Sequence, residues 1–126
     1  MILNLTQHSA SPEQLSAGVV DLSPWVTDIV RSLLTVPAAD LLAPDAHAKL
    51  AVRARGLRLV LDNEDDSMGC EVMIGGLPAL MHHLVHDLYN HRYRPLYAVS
   101  DRVSRDGPDG TKVSVFAHLG FIAARG

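Results

Sequence analysis

The sequence predicts a small α/β domain: a three-layer sheet of three parallel strands, completed by one antiparallel hairpin strand at its C-terminal edge. Three observations predict it. Short apolar, β-branched runs at 2–6, 70–74 and 94–100 are separated by stretches with helical spacing, the alternation that pairs strands in parallel through right-handed crossovers. Prolines stand where helices start, at Pro12, Pro24, Pro44 and Pro78. The last run, 112–123, follows the third strand across a Gly-Pro-Asp-Gly turn, too short for anything but an antiparallel return.

Each element has a local reason. Residues 2–6 read as a strand. The turn Gln7-His8-Ser9-Ala10 leads into Ser11-Pro12-Glu13-Gln14, where Ser11 suits the N-cap and Gln14, three residues on, completes a capping box. Leu15 and Val19 share a face of this helix, and Gly18 ends it. Asp21 or Ser23 caps a second helix with Pro24 in its first turn. Trp25, Ile29 and Leu33 recur every four residues, with Val26 and Val30 beside them, and Pro37 closes the helix. Over 38–69 the pattern is ambiguous. Pro44-Asp45 opens a helix that Ala48, Ala51, Ala54 and Leu57 continue, yet Leu57-Arg58-Leu59-Val60-Leu61 also alternates like a strand behind Gly56. One helix over 44–61 is the reading adopted. Asn63-Glu64-Asp65-Asp66-Ser67 with Gly69 is a solvated acidic loop. Strand 70–74 ends at Gly75-Gly76. Residues 77–89 then form a helix with Leu80, Leu84 and Leu88 on one stripe, stopped at Asn90 or His91. Pro95 opens the strand 94–100, where proline costs least. Strand 112–123 carries Gly120 as a bulge.

Composition bounds the function. A chain of 126 residues, 48% hydrophobic and 20% charged, is one ordered domain spanning 1–126. Fourteen acids against eleven bases give a net charge of −3, which argues against general DNA binding. The single cysteine, Cys70, excludes an internal disulfide and any multi-cysteine zinc site. No apolar run is long enough to span a membrane and the start lacks a basic segment, so the expectation is a cytoplasmic protein without a membrane partner.

Ligands of open parallel sheets bind beyond the carboxyl ends of the strands. That rule selects Thr6, Gln7 and His8 after the first strand, Gly75 and Gly76 after the second, and Ser100 with Arg102 after the third. Glycines admit a ligand close to the backbone, and Arg102 offers a planar fork for phosphate. Together they describe a site for an anionic, nucleotide-type ligand. Neither GxxxxGK[ST] nor GxGxxG is present, so an NTPase or a dinucleotide-dependent dehydrogenase lacks its signature. His82 and His86 share a helix face but have no HExxH context, and no metal or other cofactor is expected. The run Arg53, Arg55, Arg58 marks a basic helix face.

Four segments together carry a resemblance: the start through Ser11-Pro12-Glu13-Gln14 and Gly18-Val19-Val20-Asp21-Leu22; Met73-Ile74-Gly75-Gly76-Leu77-Pro78-Ala79-Leu80-Met81; Arg94-Pro95-Leu96-Tyr97-Ala98-Val99-Ser100 with Arg102; and Val115-Phe116, His118, Gly120-Phe121. The chain resembles a family of small, largely uncharacterised proteins carried by phages, prophages and mobile elements. Its first fifteen residues and its element order are also similar to small CRISPR-associated Rossmann-like proteins, which bind and in some cases degrade cyclic oligoadenylate messengers. The resemblance implies a Rossmann-like protein that sequesters or cleaves a cyclic oligonucleotide of antiviral defence. Thr6, Gln7, Gly75, Gly76 and Ser100 would contact the ligand, and His8 and Arg102 would serve any metal-independent phosphodiester cleavage. The alternative is a non-enzymatic phage protein that blocks a host defence protein. A homodimer is expected in either case, because the sheet has an open edge.

Overall fold

The computed structural model describes residues 1–64 and 69–125. In chain order the elements are β1 (Ile2–Leu5), α1 (Pro12–Ser16), β2 (Val19–Val20), α2 (Pro24–Leu34), α3 (Ala38–Leu41), α4 (Ala46–Asp62), β3 (Glu71–Ile74), α5 (Pro78–Asn90), β4 (Arg94–Asp106) and β5 (Lys112–Ala123). All five strands belong to one sheet in the order β2-β1-β3-β4-β5. The pairs β1/β2, β1/β3 and β3/β4 are parallel and β4/β5 is antiparallel.

The strand order reverses direction at β1. The chain steps from β1 to β2 on one side, then crosses back over β1 to β3 and on to β4. Right-handed crossovers in opposite lateral directions put their helices on opposite faces. Leu3, Leu5, Val72 and Ile74 accordingly point into a large core with Val26, Val30 and Leu34 of α2, Leu50, Leu57 and Leu61 of α4, and Leu80, Leu84 and Leu88 of α5. The opposite face carries a smaller cluster, Ile2, Val19, Met73 and Leu96, against which Ala10 and Phe121 pack. The layer over that face is thin, since α1 buries none of its residues.

Three expectations are corrected. Val19 does not extend α1. After Gly18 at φ 102°, Val19–Val20 form β2, and Val19 is buried against the sheet. On α2 the inward stripe is Val26, Val30 and Leu34, whereas Trp25 is 69% exposed and Ile29 is exposed as well. The run around Arg58 is no basic face. Arg58 is 9% exposed and pairs with Asp87 at 2.6 Å and Asp62 at 2.7 Å. Arg53 meanwhile donates to the carbonyls of Ser32, Leu33 and Thr35. Burial alone would lower the pKa of Arg58, but the two carboxylates outweigh it and hold the guanidinium charged. The helix reading of 44–61 holds, with Leu50, Ala54, Leu57 and Leu61 on the buried face of α4. Most of the acidic loop, residues 65–67, lies outside the described residues.

The third strand is longer than its apolar run. β4 continues through Asp106, and with β5 it forms a ribbon that leaves the sheet beyond Val99. Val99 pairs with Gly120 and Ser100 with His118, so Leu119 is an extra residue and the bulge sits where Gly120 predicts it.

Candidate functional site

Leu5, Ile74 and Tyr97 lie level across β1, β3 and β4, so the three parallel strands deliver their following residues to one rim. There a cavity of about 490 Å³ is lined by Thr6, Gln7, His8, Ser9, Gln14, Met73, Ile74, Gly75, Gly76, Tyr97 and Ala98. It lies between the ends of β1 and β3, where the strand order reverses. A second groove of about 400 Å³, lined by Gly76, Pro78, Met81, His82, Val85, Tyr97 and Arg125, adjoins it through Gly76 and Tyr97.

The first wall is built from Asn4. This buried side chain donates to His8 O at 2.8 Å and to Asp21 Oδ1 at 2.7 Å. Its own carbonyl accepts from Thr6 N at 3.0 Å and Thr6 Oγ1 at 2.7 Å. Asp21 also accepts from Ala10 N at 3.0 Å, and Arg31 Nε donates to Gln7 O at 3.0 Å. The turn after β1 is thereby fixed at both ends. Gln14 reaches the cavity from α1, whose capping box is complete: Ser11 Oγ accepts from Gln14 N and Gln14 Oε1 from Ser11 N.

The second wall is the glycine pair. Gly76 has φ 148°, a backbone conformation that side chains disfavour, whereas a methyl group on Gly75 would meet only Thr6 Cγ2 at 3.8 Å. The first turn of α5 receives no side-chain cap from Leu77, and its first residue, Pro78, lines the groove. Burial pushes the Tyr97 hydroxyl above its usual pKa and keeps it a neutral donor where the two cavities meet.

Among the described residues no carboxylate lines either cavity, although the chain carries net negative charge, and the ionisable groups there besides Tyr97 are His8, His82 and Arg125. The structure brings Thr6, Gln7, His8, Gly75 and Gly76 together. It does not bring Ser100 or Arg102 to that lining. Both lie within the continued β4, Arg102 about 13 Å along the strand from Ala98. The Arg102 guanidinium sits 4.9 Å over the Phe116 ring, and Ser100 pairs with His118, whose Nδ1 is enclosed without a hydrogen-bond partner among the described residues. Gln14, Tyr97, His82 and Arg125 escape the strand-end rule, because their approach depends on packing between distant segments. Among the described residues no cluster of three metal-ligating side chains exists. None of the described helices is long and apolar enough to cross a membrane.

The family model for the uncharacterized protein MJ1673 family matches residues 1–122, nearly the whole chain, including both walls of the cavity and the long hairpin. The chain belongs to that family. No curated protein and no solved structure matches it. The expected membership of an uncharacterised family stands on this match, and the geometry above is that of an MJ1673-family member.

Proposed function

We propose that this protein binds an anionic, nucleotide-type ligand across the two joined cavities, in a Rossmann-like arrangement. One observation carries the reading: a preformed cavity at the strand-order reversal, free of carboxylates among the described residues, with a glycine pair on one wall and His82 and Arg125 in the adjoining groove. Base and ribose would occupy the side of Thr6, Gln7 and Gln14. Phosphate would sit between Gly76 and Arg125, beside the first turn of α5. In this reading Arg125 takes the part that the strand-end rule gives to Arg102. A cyclic oligonucleotide messenger of antiviral defence suits the combined room of the two adjoining cavities, about 490 and 400 Å³, as a mobile-element protein that sequesters or cleaves such a signal would require. For cleavage, His8 would take the proton of a ribose 2′-OH as that oxygen bonds to its adjacent phosphorus. The bond from phosphorus to the 5′ oxygen of the next nucleotide breaks, that oxygen takes a proton from water, and a 2′,3′-cyclic phosphate remains, with Arg125 stabilising the developing charge.

Thermal shift with mononucleotides, cyclic dinucleotides and cyclic oligoadenylates tests this, together with product analysis in the presence of EDTA. A saturating ligand raises the melting temperature by mass action. Gly75→Val, which fills the cavity, and Arg125→Ala abolish that shift while the free proteins melt near wild type. No shift with any nucleotide refutes the reading. That result would favour the alternative, a protein that blocks a host defence protein, which the exposed β4–β5 ribbon supports.

A further inference from the structure

The ribbon beyond Val99 has two unlike faces. Paired residues share a face, so Val99/Gly120, Asp101/Ala117, Val103/Val115 and Arg105/Val113 lie on one side. Ser100/His118, Arg102/Phe116, Ser104/Ser114 and Asp106/Lys112 lie on the other. On the polar side Arg102 lies over Phe116, which is 67% exposed, and Lys112 pairs with Asp106 at 2.7 Å. On the valine side Val103, Val115 and Ala117, at its middle, are half-buried. Val99 and Val113 are exposed, and no residue of the ribbon belongs to either buried core. A two-stranded ribbon standing alone in water is marginally stable, so an apolar face along its length calls for a cover.

We propose that this valine face docks on the same face of a second copy of the chain, about a two-fold axis at Val103. Two observations select that occupant. The first is charge. The face carries two ionisable residues, Asp101 and Arg105, placed symmetrically two residues either side of Val103, and neither has an ion-pair partner among the described residues. In an isologous contact each residue meets its mirror position, so Asp101 of each copy faces Arg105 of the other and both charges are paired. The second is area. A folded monomer of this mass, 13.6 kDa, exposes about 6,600 Å², whereas this chain exposes 7771 Å². The excess of roughly 1,200 Å² is more than the ~800 Å² that each partner gives to a standard interface. The dimer leaves the opposite face, with Ser100, Arg102 and His118, uncovered on the same side of the strand as Ala98 of the cavity. The inference stands independently of which ligand the cavity takes.

Sedimentation equilibrium on the full chain tests it. The wild type sediments at twice 13.6 kDa, with a concentration-dependent monomer fraction. Val103→Glu and Asp101→Arg each weaken the dimer about a hundredfold, the latter by setting an arginine of one copy against Arg105 of the other. The double exchange Asp101→Arg with Arg105→Asp restores it. Both charged positions are exposed and outside the core, so these variants fold even if Val103→Glu does not. A wild type that stays monomeric at high micromolar concentration overturns the proposal. So does a dimer indifferent to Asp101→Arg, or a double exchange that fails to rescue.

Discussion

Asn4 holds more of the rim's shape than any residue that touches the cavity. It makes four hydrogen bonds from a nearly closed site, 6% exposed, and its loss removes the acceptor of Thr6 N and leaves the His8 carbonyl with the Thr6 hydroxyl at 3.1 Å. Asn4→Ala therefore destabilises the fold by about 1–3 kcal/mol in denaturant unfolding, and under the proposed function it weakens nucleotide binding although Asn4 lies outside the cavity lining. The glycine pair makes a sharper contrast. Gly76→Ala costs about 1–3 kcal/mol because of its φ of 148°, whereas Gly75→Ala, with only Thr6 Cγ2 nearby, leaves the melting temperature close to wild type. Equal losses at both positions would contradict the backbone geometry described here. Thr6, Gln7, His8, Gly75 and Gly76 could be read from the sequence because each follows a strand directly. Gln14, Tyr97 and Arg125 could not, because their approach requires knowing which strands are neighbours.

At the scale of elements, two contacts of α4 carry the pH dependence, and both weaken as pH falls. His47 Nδ1 and His83 Nε2 lie 2.9 Å apart, and burial, followed by the charges of His47, His82 and His86, holds the His83 pKa below its ordinary 6.5. The unfolded chain binds that proton more readily, so stability is full above about pH 6.5 and falls as pH drops below it. Asp62 behaves as the second step. Burial would raise its pKa, but the Tyr93 hydroxyl at 2.7 Å and Arg58 outweigh burial and hold it below the usual 3.8. Its contribution is present above about pH 3.8 and is lost as pH falls further. Melting temperature against pH should thus decline in two stages, and His83→Gln should flatten only the first. The same scale shows where local pattern suffices. The capping box and α4 were legible because their signals are short-range or long and periodic. β2 was not, since two residues become a strand only through β1 beside them. On α2 two adjacent apolar stripes compete, and the sheet rather than side-chain size selected Val26, Val30 and Leu34. The third strand read as ending at Ser100, with Arg102 beyond it, yet Ser100 and Arg102 alternate with Val99, Asp101 and Val103 along a strand that runs to Asp106.

For the whole molecule, the ribbon is an extension that contributes no residue to either buried cluster. Leu96 and Ala124 are the buried residues nearest its two ends. Joining Val99 to Gly120 through an Asn-Gly turn keeps the pairs Leu96/Ala123 through Val99/Gly120. Calorimetry of that shortened chain should give a cooperative transition whose midpoint no longer depends on protein concentration, in contrast to the full-length chain. A shortened chain that fails to fold would place the ribbon inside the cooperative unit.

The extra residue at Leu119 divides the molecule in time as well as in space. Amides on its inner side, from Leu96 to Val99 and from Gly120 to Ala123, share the opening energy of the sheet and exchange with deuterium at the slow, global rate. Those on its outer side answer to the ribbon alone, and their exchange tracks whatever rests on the valines. A single deuterium-labelling map of this short protein therefore reads two equilibria at once, the unfolding of the core and the occupancy of the ribbon, with the boundary one residue wide.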